Sequence, residues 1–236
     1  MTATFSLLCP TRKRPQNIEA LIASALDTAV NPDNIEFVFY TDDDDKESRK
    51  KLKSSHNIAN IKSVTGPRIV LSQMWNECLE TSTGNILMHC GDDIVFSSKS
   101  WDANIQDAFN EYPDKIALVY GRDGIHDEKL STHSFVTRTW TDILGYICPP
   151  YFSSDWNDQW LFDIAKAVDR LHYLASVYTE HMHPSAEKAE IDITHKERMD
   201  RGTADDVEKL YHAPKMKKRR MADIHKLQEV IDNYSQ

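Results

Sequence analysis

Apolar positions along this chain fall into two alternating patterns. Short unbroken runs of strand length are separated by stretches in which apolar residues recur every three or four positions. Thr4 to Cys9 (TFSLLC) is the first run, followed by Pro10. Ile18, Leu21, Ile22, Ala25, Leu26 and Ala29 then keep helical spacing, with Pro15 and Asn17 where a helix starts. Ile35 to Thr41 (IEFVFYT) predicts a second strand, stopped by four aspartates, and a lysine-rich helix covers Asp45 to Ser55. Ile61 to Val64 predicts a short third strand before the Gly66-Pro67 break. Ser72 is placed to cap a helix carrying Met74, Trp75, Cys78 and Leu79. Gly84 ends that helix, and Asn85 to Cys90 (NILMHC) is the next strand. Trp101, Ile105, Ala108, Phe109 and Tyr112 mark another helix, closed by Pro113 ahead of a strand at Ile116 to Tyr120.

The second half is less regular. His133 to Trp140 (HSFVTRTW) reads as a strand, Gln159 to Val168 as a helix, and Leu171 to Thr179 as a strand running into EHMHP. From Glu187 the chain is highly charged. Its end, with Met221, Ile224, Leu227, Val230, Ile231 and Tyr234, is an amphipathic helix that packs across the domain or on a partner subunit. The alternation of strand and helix predicts an α/β fold with a mostly parallel central sheet flanked by helices. The composition shift places a boundary between a main domain, 1–186, and a charged helical extension, 187–236. Ligands of such sheets bind beyond the carboxyl ends of the strands. Three polar groupings fall at those ends: PTRKRP, TDDDD and GDD.

Composition bounds the rest. At 236 residues, 40% hydrophobic and 28% charged, the chain can bury a sizeable core. No apolar run approaches the roughly 18 residues of a membrane span. The N-terminus has no leader pattern, so a cytoplasmic protein is expected. Cys9, Cys78, Cys90 and Cys148 are widely spaced with no CxxC pair, which predicts buried free thiols. A net charge of −9 argues against a surface that coats nucleic acid. The run Lys215 to Arg220 (KMKKRR) is either a solvated helix start or a local contact for phosphates.

Asp92 and Asp93 are the most informative residues. Two adjacent carboxylates at the end of an apolar strand repel each other unless something positive sits between them. A hard divalent cation does this and bridges carboxylates to substrate phosphates. The alternative is a turn in which Asp93 caps the next segment. His181 and His183, two apart on an extended segment, share a face and suit Mn²⁺ better than Mg²⁺. Arg12, Lys13, Arg14 and Arg68 are candidate phosphate contacts. The chain has neither a GxGxxG nor a Walker A pattern, so dinucleotide dehydrogenases and P-loop NTPases are poor fits.

In order along the chain, these segments resemble the GT-A fold glycosyltransferases, particularly family-2-like and phage-type members. FSLLCPTRKRPQNIEALIASAL resembles the opening strand, threonine–arginine turn and helix, and NIEFVFYTDDDD is similar to the second strand with its base- or ribose-contacting acidic end. WNECLETSTGNILMHCGDDIVF resembles the helix, strand and metal motif, NDQWLFDIAKAVDRLHYL the acidic motif of the catalytic base, and EHMHP the late metal histidine. The resemblance runs from Thr4 to Pro184. It implies a Rossmann-like sheet and transfer of a hexosyl or pentosyl group from a nucleoside-diphosphate sugar. It assigns the base to Asp158, or to Asp155, and the Mn²⁺ or Mg²⁺ to Asp93 with His181 or His183. It assigns donor contacts to Thr11, Arg12, Asp42 or Asp43, Arg68 and Asp92. The family motif has aspartate where this chain has Gly91. The acceptor is a modified phage DNA base, a saccharide or a protein, and for a viral protein the compartment is the host cytoplasm. A sugar nucleotidyltransferase and a non-catalytic nucleotide-sugar-binding module are the competing readings.

Overall fold

The computed structural model describes residues 3–234. Strands β1 (Phe5–Thr11) and β2 (Ile35–Asp42) are buried along their whole length. A strand covered on both faces favours apolar residues on both, which is why these segments read as nearly continuous apolar runs; the buried exceptions Ser6 and Glu36 bond each other at 2.6 Å. With β3 (Asn60–Gly66) and β4 (Ile86–His89) they pair in parallel, in the order β3-β2-β1-β4. The sheet then continues through β7 (Ser134–Thr137), β6 (Leu118–Arg122), β8 (Leu171–His181) and β5 (Ile94–Phe96), giving eight strands.

Strand β7 is antiparallel to both β4 and β6, and β8 is parallel to β6. It follows that β1, β2, β4 and β8 all end at one edge of the sheet and that β7 begins there. At Gly121 the pairing of β6 with β8 jumps from Leu174 to Tyr178. A Cβ on Gly121 would lie 2.3 Å from the Val177 carbonyl oxygen, so only glycine permits this close approach. Beyond the irregularity, β8 pairs with β5 and carries His181 against Ile94.

The helices are α1 (Pro15–Thr28), α2 (Lys46–Ser55), α3 (Leu71–Thr81), α4 (Trp101–Asn110), α5 (Arg138–Leu144), α6 (Asn157–Ala167), α7 (Ile193–Ala204), α8 (Val207–His212) and α9 (Pro214–Tyr234). Neighbouring strand residues point to opposite faces. Leu7, Phe37, Trp101 and Phe135 fill one layer, and Leu8, Val38, Trp75, Leu87 and Trp160 fill the other. All four cysteines are buried and free. Among the described residues no helix is long and apolar enough to cross a membrane.

Three local expectations change. Residues 133–140 form a strand only to Thr137, whose side chain then accepts the Trp140 N–H and caps α5. Ser72 lies inside α3 and donates its hydroxyl to the Phe152 carbonyl at 2.8 Å. The third is an addition: residues 94–96, to which the apolar pattern assigns no element, form a strand, β5.

The extension shares the main core. Leu227 and Ile231 of α9 are buried with Trp160, Leu161 and Tyr146, and Met221 and Tyr234 are exposed. Buried Asp223 fixes the helix by accepting from the Tyr146 hydroxyl and, at 3.2 Å, from Trp160 Nε1. Leu227→Ala is therefore expected to destabilise the whole fold by about 2–5 kcal/mol in urea unfolding, the range for a buried leucine. A loss below 1 kcal/mol would mean that α9 is an appendage.

Candidate active site

The shared edge of the sheet opens onto a cavity of about 200 Å³. Thr11, Arg12, Arg14, Asp42, Arg68, Asp92, Asp93, Asp155, Asp158, His181 and His183 all line it. Most arrive from the end of a strand or the start of a helix, and Arg68 and Asp155 come from the loops before α3 and α6. Asp43 does not join them. It is exposed, outside the cavity lining, with its backbone N–H on the Gly66 carbonyl.

The positive partner of the two carboxylates is Arg14. Its Nη1 lies 3.0 Å from Asp92 Oδ1 and 3.7 Å from Asp93 Oδ2. Thr11 donates its hydroxyl to Asp92 Oδ2 at 2.7 Å, so both Asp92 oxygens are held from the turn after β1. Lys13 takes the left-handed conformation (φ 55°) in that turn, and its N–H donates to Asp45 Oδ2 at 2.5 Å. Arg14 then sits immediately before Pro15, the first residue of α1.

The carboxylates differ in environment. Burial pushes the Asp92 carboxyl up, and Arg14 only partly offsets this. Burial acts on Asp93 too, but His181, His133 and Arg14 outweigh it and hold its carboxyl below the usual range. His181 Nε2 is 3.5 Å from Asp93 Oδ1. The backbone enforces this approach, because Met182 N–H donates to the Asp93 carbonyl at 2.7 Å.

The donors at Asp93 are spaced for a shared divalent ion. Two donors about 2.1 Å from one ion stand about 3–3.5 Å apart, so Asp93 Oδ1 and His181 Nε2 can share one. Among the described residues no group of three or more His, Cys, Asp or Glu is arranged to hold a metal. The pair therefore fits an ion whose other ligands come from bound phosphates and water, and not a closed protein cage. His183 is differently engaged. Its Nδ1 faces the Ser185 hydroxyl at 2.8 Å and its Nε2 faces Arg198 at 3.5 Å. Burial, then His181 and Arg198, lower its pKa to about 4, so the ring is neutral at physiological pH.

Around the β2 end, Asp42 Oδ2 accepts from Arg12 Nη1 at 2.7 Å, and its buried Oδ1 has no hydrogen-bond partner. Arg68 pairs with Glu197 of α7. Across the cavity, Asp155 pairs with Arg198 at 2.7 Å. Asp158, next to the α6 start, accepts the Gln159 N–H at 2.8 Å and has no ion pair among the described residues. Burial raises its pKa, and Asp155 adds to the effect.

Several lining residues escaped the sequence reading. His133 enters at the head of the antiparallel strand β7. Its ring centroid is 4.7 Å from that of His181, and its Nε2 is buried without a partner. Helix α7 contributes Thr194, His195, Arg198 and Arg201 to the cavity. The signal was present as polar residues at helical spacing in ITHKERMDR. Hydrophobic periodicity misses it because Ile193 and Met199 are the exposed residues and the polar face points inward.

No protein-family model and no curated protein matches the chain. Solved structures do. S. aureus TarS superposes with a TM-score of 0.60 at 14% identity over 84% of this chain and 43% of that one. TarS 1–349 in complex with UDP gives 0.60 at 14% identity, over 98% of this chain and 91% of that one. The mannosyltransferase PcManGT from Pyrobaculum calidifontis, in complex with GDP-Man and Mn²⁺, gives 0.60 at 12% identity over 99% and 74%. The chain thus spans less than half of the first TarS structure and most of the other two. The fold is shared. The α/β architecture expected from the sequence, GT-A in type, is the one present.

The Asp158 environment gives a stability test. A carboxyl whose folded pKa is raised carries a penalty when ionised, present at neutral pH and gone once pH falls below the ordinary value of about 4. Asp158→Asn should raise Tm at pH 7–8 and leave it unchanged near pH 4, as read by thermal melts. An equal Tm at both pH values would show that Asp158 is solvated.

Proposed function

We propose that the chain is a glycosyltransferase that moves a sugar from a nucleoside-diphosphate donor to an acceptor hydroxyl. The observation that carries this reading is the pairing of Asp93 with His181 across one cavity from the unpaired Asp158. The fold it shares with structures holding UDP or GDP-Man adds support.

In this reading Asp42, with its free buried Oδ1, accepts a hydrogen bond from the donor's base or ribose. Arg12 and Arg68 face the donor's negative charge. A divalent cation, held by Asp93 with His181 or His183, would offset charge on the leaving diphosphate. The imidazole ligand favours Mn²⁺ over Mg²⁺. Asp158 acts as general base. The acceptor oxygen bonds to the anomeric carbon, the bond from that carbon to the diphosphate breaks, and the hydroxyl proton passes to the Asp158 carboxylate. Transfer in this one displacement inverts the anomeric carbon. Asp155, tied to Arg198, positions the start of α6, which carries Asp158.

A panel of UDP- and GDP-sugars assayed for donor hydrolysis with Mn²⁺ tests this. Asp158→Asn should reduce transfer by about 10²–10⁴-fold, the usual contribution of a general base, while nucleoside-diphosphate binding persists. Asp93→Ala should lose both. No turnover of any donor, or full activity in both variants, would sink the reading.

For the acceptor we propose a polyanion, DNA in the first instance. From Lys215 to Lys226 the chain carries six basic residues, Lys215, Lys217, Lys218, Arg219, Arg220 and Lys226, and one acid, Asp223, which is buried. Arg219 and Arg220 lie over aromatic rings, Arg219 4.4 Å from Tyr151 and Arg220 4.2 Å from Tyr211, leaving Lys215, Lys217 and Lys218 exposed. Tyr151 precedes the loop that brings Ser154 and Asp155 to the cavity. Reversing the charge of Lys215, Lys217 and Lys218 should weaken transfer to DNA and flatten its salt dependence. Unchanged transfer at low salt would leave a saccharide or protein acceptor.

A further inference from the structure

Arg14 stands where the two carboxylates meet. Its residue is 7% exposed, and that of Asp92 is 4% exposed. One side of the guanidinium faces Asp92 and Asp93 through Nη1. The other faces Asp192, the residue that caps α7, with Nε at 2.6 Å from Oδ2 and Nη2 at 2.9 Å from Oδ1. Nη2 also lies 2.9 Å from His195 Nδ1, and His195 Nε2 is 4.0 Å from Asp93 Oδ2. One cation thus joins the carboxylate pair to a helix from the far end of the chain.

We infer that Arg14 is the resident counter-charge of the Asp92–Asp93 pair, and that Asp192 sets its distance from Asp93 and so how readily a divalent cation binds there. The asymmetry of the contacts carries this. Arg14 makes a hydrogen bond to Asp92, but its approach to Asp93 is 3.7 Å, beyond hydrogen-bond length. Asp93 is therefore the carboxylate Arg14 can release, and Asp92 the one it keeps. A dication beside Asp93 is repelled by a guanidinium at that range, and the surroundings do not screen it as water does. Asp192, bonded to the guanidinium at 2.6 and 2.9 Å, holds it back from Asp93. Arg14 is a positioning residue by this account. It sets how readily the metal enters and does not touch the reacting atoms. The inference rests on the metal–nucleotide reading of the site.

Electron paramagnetic resonance of free Mn²⁺ measures this without turnover. Titrations of wild type, Arg14→Met and Asp192→Asn are run with and without UDP or GDP, with circular dichroism to verify folding. Arg14→Met should bind Mn²⁺ at least about tenfold more tightly than wild type without nucleotide, since a like charge has gone. Asp192→Asn, which loosens that hold and lets the guanidinium close on Asp93, should bind Mn²⁺ more weakly than wild type. The two variants thus move in opposite directions, which a merely structural role for Arg14 does not produce. If Arg14→Met does not fold, the Asp192→Asn shift decides. Mn²⁺ affinity unchanged within threefold in the folded variants, or weakened in Arg14→Met, overturns the inference. If the variants behave as expected but neither diphosphate tightens Mn²⁺ in wild type, the inference stands and the nucleotide-sugar reading falls.

Discussion

Two neighbouring carboxylates at the end of a buried strand, with one guanidinium against them, set the organisation of this molecule. Asp92 is buried and Asp93 nearly so. Without a partner, either charge in that position would be strongly destabilising or would be neutralised by a proton. Arg14 removes the difficulty, and several other features follow from where it must stand. The turn after β1 has to bring residue 14 over the end of β4, which the left-handed Lys13 and its bond to Asp45 accomplish. Arg14 is 178 positions from Asp192 in sequence, and their contact fixes the start of α7 over the cavity. The electrostatics of the strand end therefore recruit the C-terminal region into the site.

Strand direction supplies the rest. The parallel strands β1, β2 and β4 deliver Thr11, Asp42 and Asp92 to one edge, which is the general behaviour of such sheets. His181 and His133 come by a different route. Strand β7 reverses, so its first residues meet the last residues of β4, and Ser134 Oγ lies 3.1 Å from His89 Nδ1. The close approach at Gly121 lets β8 leave β6 and pair with β5, which sets His181 beside Asp93. Imidazoles from two strands of opposite direction thus converge on the carboxylate.

The parts of the fold legible in the sequence were those whose burial is simple. Strands β1 and β2 are apolar at most positions and α1 has one apolar face, so pattern alone located them. Asp42, Asp93, Asp158 and His181 were also readable, because strand ends and helix starts mark cavity edges in an α/β sheet. Asp43 was not separable from Asp42 in a run of four aspartates. The difference is one of side-chain direction at the last residue of β2, which leaves Asp42 buried and Asp43 exposed. Helix α7 was hidden for the opposite reason. Its inward residues are Thr194, His195, Arg198 and Arg201, and a polar helix over a polar cavity has no apolar stripe to detect. Arg14 was visible as one cation in PTRKRP, but nothing local distinguishes it from Arg12. Only the fold shows that Arg12 turns to Asp42 and Arg14 to Asp92.

Gly91 takes on a physical meaning in this setting. A Cβ at this position would lie 2.5 Å from Asp93 Oδ1, the oxygen that faces His181. A side chain there would have to push the Asp93 carboxylate aside, toward Arg14 or away from the imidazole. An aspartate at this point would add a third negative charge to a place already balanced by one guanidinium. With glycine, the carboxylate folds back over its own backbone and keeps both neighbours within reach, His181 on one oxygen and Arg14 on the other. Glycine at position 91 and the presence of Arg14 are then two sides of one arrangement. Fewer carboxylates need less compensating charge, and a single arginine from the first turn is enough to hold the pair in place.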